Sequence, residues 1–163
     1  MRVAEILMLS TNLNYTRQLF RDIGSEVIDE NEKVVFGVFA IDEQLQIHLY
    51  AFEWQSKSSE FIWDVVCRKS LGVIILFDWR DTESVQQMKE ITNYFDAHFE
   101  LPVVVASWLN GEGDALPTKL YRGGLPVTQK SRFVFFNMDN PAALRELLVD
   151  LININLESLV KEK

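Results

Sequence analysis

Cysteine is almost missing from this chain: Cys67 is the only one in 163 residues. One thiol builds neither a disulfide framework nor a cysteine metal site, so it reads as a small buried hydrophobe. Histidine is nearly as scarce. His48 falls on an expected strand and His98 near an expected helix end, in no ligand spacing of the H-x-x-x-H kind, and no metal site is expected. Long apolar runs are absent too, none approaching the roughly 18 residues that a membrane span needs. Met1-Arg-Val-Ala-Glu-Ile enters a strand at once, without the regions of a signal peptide, so the expected location is the cytoplasm. Positive charge is in deficit, with 16 Lys and Arg against 24 Asp and Glu, for a net charge of -8. No nucleic-acid ligand is expected on that balance, because counterion release needs a concentrated basic surface. Lys119, Arg122, Lys130 and Arg132 gather around one loop and read as its solvated face.

With 48% hydrophobic and 25% charged residues, the chain suffices for one buried core, and residues 1–163 read as one domain. Apolar patterning predicts a strand at 4–9, a helix at 15–23 that stops at Gly24, and a polar connection at 25–33. Strands at 34–41 and 45–52 flank the turn Asp42-Glu43 as a hairpin. A loop at 53–59, a helix at 60–69 and a continuous apolar strand at 71–77 follow. The next helix, 82–95, is capped by Asp81 or Thr82 and turns Val85, Met88, Ile91 and Phe95 inward. A strand at 102–106, a loop at 107–126, a short strand at 132–136 and an amphipathic helix at 141–156 complete the order. The pattern predicts an α/β three-layer sandwich, with helices on both faces of a mostly parallel sheet that carries one antiparallel edge hairpin. Ligands of such sheets bind at the carboxyl ends of the strands, so the loops at 10–15, 53–59 and 107–114 should border one crevice.

The first of these loops has the outline of a phosphate cradle and none of its chemistry. After Glu5-Ile-Leu-Met-Leu9 comes Ser10-Thr-Asn-Leu-Asn-Tyr15-Thr16-Arg17. The pattern G-x-x-x-x-G-K-[ST] needs glycines so that backbone N–H groups can curl around phosphates, a lysine against their charge, and a hydroxyl for magnesium. At that spacing Ser10 and Tyr15 replace the glycines, Thr16 the lysine and Arg17 the hydroxyl. Other chemistry is thin. Asp78 and Asp81 read as caps rather than a carboxylate pair, and Leu9-Ser10-Thr11 offers no acid for a phosphoacceptor site. Ser10, Ser107 and the two histidines come without a nucleophile elbow.

The chain resembles the Ras-like small GTPases, within them the bacterial branch related to the gliding-motility protein MglA, to Arf and to the signal-recognition-particle receptor β subunit. The likeness is carried by 45–117: a strand and loop, the helix with Phe61-Ile-Trp63, Leu71-Gly-Val-Ile-Ile-Leu-Phe-Asp78, Asp81-Thr-Glu-Ser84, Leu101-Pro-Val-Val-Val105 and Ala115-Leu-Pro117. By this resemblance Phe52-Glu53-Trp54-Gln55 stands where Thr-Pro-Gly-Gln would be, with Trp54 at the glycine that meets the γ-phosphate and Gln55 at the water-orienting glutamine. Ser107-Trp108-Leu109-Asn110 stands for the guanine-reading Asn-Lys-x-Asp. With phosphate cradle, metal hydroxyl and base reader all replaced, the resemblance implies a pseudo-GTPase without a cofactor.

Tyr15, Trp54 and Trp108 are large aromatics at these positions, and two readings stay open: they fill the space of the lost nucleotide, or they lie on loop surfaces. Trp108 is expected as a plug. Trp54, among the polar residues of 53–59, is expected near solvent. The function implied is a protein-interaction or scaffolding module whose partner surface is the hairpin and following loop, with Phe36, Phe39, Trp54 and Phe61 as anchors. The resemblance makes a Roadblock-fold regulator the natural partner, and homo-oligomerisation is left open. The alternative is an atypical GTP- or ATP-binding switch, or weak NTPase, in which Arg17, Lys57 or Arg68 supplies the charge that Thr16 lacks.

Overall fold

In a computed structural model, residues 1–30, 33–54, 60–109 and 130–161 are described, with the backbone alone at 29–30 and 60–62. Strand β1 (Arg2–Ser10) leads through two residues into helix α1 (Leu13–Asp22). Strands β2 (Glu26–Glu30), β3 (Val34–Ala40) and β4 (Leu45–Glu53) follow, then α2 (Glu60–Cys67), β5 (Ser70–Phe77) and α3 (Thr82–His98). The last described elements are β6 (Val103–Leu109), β7 (Ser131–Asn137) and α4 (Ala143–Lys161). The strands form one sheet in the order β2-β3-β4-β1-β5-β6-β7. Strand β3 pairs antiparallel with both its neighbours, and every other pairing is parallel. This is the α/β sandwich that the periodicity predicts.

Strand alternation divides the apolar residues between two cores. Ile6, Met8, Ile47, Leu49, Ile74, Leu76, Val104 and Ala106 face one side, where α1 and α4 cover them. Leu7, Leu9, Val73, Ile75, Phe77, Val103 and Val105 face the other, against Trp63 and Cys67 of α2 and Met88, Ile91 and Phe95 of α3. Central β1, β5 and β6 are buried on both faces because helices lie on both, which is why they read as unbroken apolar runs. Helix α1 seats closely over the edge strands: a Cβ on Gly37 would lie 2.6 Å from Ser25 Oγ and 2.9 Å from the Phe20 ring, so only glycine admits the helix there. Gly24, at φ +76°, ends α1 as expected.

Several boundaries differ from the sequence reading, and three bear on the sheet and its last helix. The segment read as a polar connection, 25–33, contains β2, which pairs with β3 through its backbone while Ile28 remains 53% exposed beside a register shift. Strand β6 continues through Ser107 and Trp108 to Leu109, where a loop was expected, because its ladder with β7 extends to Trp108↔Phe136 and Leu109↔Asn137. Helix α4 continues to Lys161, beyond its expected end at 156. Among the described residues no helix is long and apolar enough to cross a membrane.

Candidate functional site

The carboxyl ends of β1, β5 and β6 meet where the strand order turns back on itself, the place at which such sheets bind ligands. Here the turn out of β1 closes on itself. Ser10 Oγ donates to the Asn12 carbonyl (2.7 Å) and accepts from the Asn12 N–H (3.0 Å), and Asn12 Oδ1 accepts from the Asn14 N–H (3.0 Å) as the cap of α1. Helix therefore begins at Leu13, ahead of all three residues Tyr15, Thr16 and Arg17. A phosphate cradle needs non-helical backbone that curls up to its second glycine, and here the helix has begun two residues before that position. The sequence held the signal in Asn12, a favoured cap just before an apolar residue.

Each of the three helical residues is engaged. The Tyr15 ring stacks on Trp108, with centroids 4.2 Å apart and planes 21° apart. Thr16 is fully buried and its Oγ1 has no hydrogen-bond partner among the described residues. Arg17 Nη1 donates to Asn14 Oδ1 at 3.0 Å. Trp108, only 2% exposed, belongs to the core under α1 and α4, and its indole N–H is also without a partner among the described residues. Ser107, one residue earlier and therefore on the opposite face, is fully buried and accepts the Trp79 N–H at 3.1 Å.

The opposite wall comes from the start of α3. Thr11 Oγ1 and Ser84 Oγ are 2.8 Å apart, and Ser84 Oγ accepts the Asp78 N–H at 2.8 Å, which latches β1 to the end of β5. Asp78 Oδ1 accepts from the Arg80 N–H and lies 3.5 Å from Arg80 Nε, while Asp81 Oδ1 caps α3 through the Glu83 N–H. Asp81 is thus the helix cap that the sequence implied, whereas Asp78 closes the turn ahead of the helix. Among the described residues, a cavity of about 270 Å³ lies between Tyr15, Trp108, Thr11, Asp78, Asp81 and Glu83. Its described rim is acidic, the wrong sign for a polyphosphate. No grouping of three or more His, Cys, Asp or Glu among the described residues could hold a metal ion.

Trp54 does not join this pair. It stacks on Trp63 at 4.7 Å and 20°, half-buried over the core under α2 and α3, and its N–H donates to the Ser10 carbonyl at 2.9 Å. Instead of standing clear among polar neighbours, it rests on a ring nine positions ahead. The expected anchors Phe36 and Phe39 also part company. Phe39 packs against the core under α1. Phe36 faces the other way, stacked on Tyr50 (4.8 Å) and edge-on to His48 (5.5 Å). Burial, followed by the negative charge of the nearby Glu5 carboxylate, raises the pKa of Tyr50. Phe61 lies in α2 with its side chain outside the described set, and Gln55, Lys57 and Asn110 lie outside the described residues. Arg68 is exposed just ahead of β5, at the amino end of the strand and so opposite the crevice.

The chain matches no protein-family model and no curated protein sequence.

Proposed function

We propose that this chain is a Ras-like domain that no longer turns over nucleotide and acts by protein contact, a pseudo-GTPase serving as an interaction or scaffolding module. The observation that carries the reading is the Tyr15–Trp108 stack, which sets aromatic rings where the resemblance would have glycine and the base-reading lysine. Support comes from the helix start at Leu13 and from the acidic rim of Asp78, Asp81 and Glu83. The alternative of an atypical nucleotide switch loses ground by the same geometry: Arg17 is held by Asn14 and Arg68 sits at the wrong end of β5.

The partner surface in this reading is the face of β3 and β4 that carries Phe36, Val38, His48, Tyr50 and Phe52, half-buried and rich in the aromatics that anchor interfaces. Phe39 is removed from that set and Trp54 borders it. The resemblance names a Roadblock-fold regulator as the partner class. Two measurements test the proposal. Purified protein should release no nucleotide on acid treatment, and its melting temperature should not move with GTP or ATP plus magnesium, since a ligand of the folded state must stabilise it. Phe36→Ala should weaken capture of a Roadblock-fold partner with little change in the melt. Stoichiometric magnesium-dependent nucleotide binding would refute the reading.

A further inference from the structure

Helix α4 is apolar on two faces. It buries Leu144, Leu147, Leu148, Leu151 and Ile154 against the sheet. On another face Val149, Ile152, Leu156 and Leu159 recur at steps of three, four and three, and they are 50%, 38%, 54% and 58% exposed. Val160 and Leu71 widen the stripe, and a groove of about 340 Å³ runs beside it between α4 and the start of β5, lined by Leu71, Pro102, Ile152, Leu156 and Leu159. A one-faced helix on a sheet needs no such second stripe. Six aliphatic side chains at these exposures leave on the order of 500 Å² of apolar surface in water, the upper end of what a monomer keeps.

We propose that this stripe is the seam of a two-fold homodimer, in which α4 packs antiparallel on α4 of a second copy. The three-four spacing is that of a helix-pairing seam. It is also symmetric about its centre: an axis at position 154 sets Ile152 opposite Leu156 of the second copy and Val149 opposite Leu159, as an isologous interface requires. The patch offers on the order of 500 Å² per partner against the roughly 800 Å² of a standard interface, the size of a reversible rather than a permanent dimer.

Charge favours the same occupant. Copies of a chain of net charge -8 repel each other over most of their surface. Beside this stripe, however, Asp150 and Glu157 are held by Arg132 of their own chain at 3.4 and 3.0 Å. Asn155 donates to the Leu71 carbonyl at 2.9 Å, and Asn153 and Ser158 are neutral. Glu100 and Lys130, which also line the groove, offset each other in charge, so the patch as a whole is near neutral and an identical apolar stripe is its complement.

Sedimentation equilibrium of the full chain should show a reversible dimer. Leu156→Glu should raise its dissociation constant by about 100-fold or more, the substitution occurring twice across the axis, with the melting temperature of the monomer unchanged. The double variant Val149→Cys/Leu159→Cys should oxidise to a covalent dimer, with buried Cys67 taking no part. This second arm decides the matter if Leu156→Glu disturbs folding. A wild-type chain that stays monomeric at its highest soluble concentration overturns the proposal. So does a dimer indifferent to Leu156→Glu, a dimer whose cysteine pair does not cross-link, or a stripe that captures only a different protein.

Discussion

The Tyr15 phenol lies flat on the Trp108 indole, 4.2 Å between centroids, and so pins the first turn of α1 to the carboxyl end of β6. On the proposed reading, the stack stands where a Ras-like domain would hold its nucleotide. Trp108→Ala removes a ring that is 98% buried and should cost about 3–5 kcal/mol, a fall in melting temperature on the order of 10 °C. Tyr15→Ala should cost less, and a double-mutant cycle between the two should return a coupling of about 0.5–1.5 kcal/mol. Additive losses would mean that the stack is incidental.

Thr16 gives a test with opposite signs. Its hydroxyl is fully buried and unpartnered among the described residues, so Thr16→Val, which keeps the shape and drops the orphan group, should stabilise the fold by about 1 kcal/mol. Thr16→Lys restores the residue of an intact phosphate loop at a position that faces the core. It should destabilise by about 3 kcal/mol or more and confer no GTP affinity in calorimetry. A lysine variant that binds GTP would mean that α1 can unwind to rebuild the cradle.

Continuous apolar runs made β5 and β6 legible, since a strand covered on both faces has no polar side to show. Strand β2 was not legible, because Val27 alone of its described side chains packs on a core and its pairing with β3 is a matter of backbone. The site was half legible. Replacement of the motif residues can be read directly, but the early helix start, the Tyr15–Trp108 pairing and the acid facing it depend on which chain ends the sheet brings together. Trp54 illustrates the limit: polar neighbours predict exposure, and only the fold supplies Trp63 beneath it. Trp54→Ala should therefore cost about 1–2 kcal/mol of stability, visible in thermal melts. An unchanged melt with lost partner capture would return it to the role of exposed anchor.

Cys67 supplies a prediction in pH. The thiol is buried at the end of α2, and burial, with the nearby Asp64 carboxylate adding to it, pushes its pKa from 9.0 up to about 12. The folded state therefore favours the protonated thiol more than the unfolded chain does. That preference is fully present below pH 9 and is lost as pH rises toward 12. Tyr50, whose pKa is also raised, adds to the alkaline loss. Cys67→Ala separates the two: the variant should be less stable than the parent at pH 8, by the cost of a small cavity, and the difference should shrink between pH 9 and 11. The native thiol should also resist alkylation at pH 8 and react at once in denaturant, because the thiolate is the nucleophile. Rapid modification of the folded protein would show that Cys67 is neither buried nor held protonated, and that α2 does not cover it.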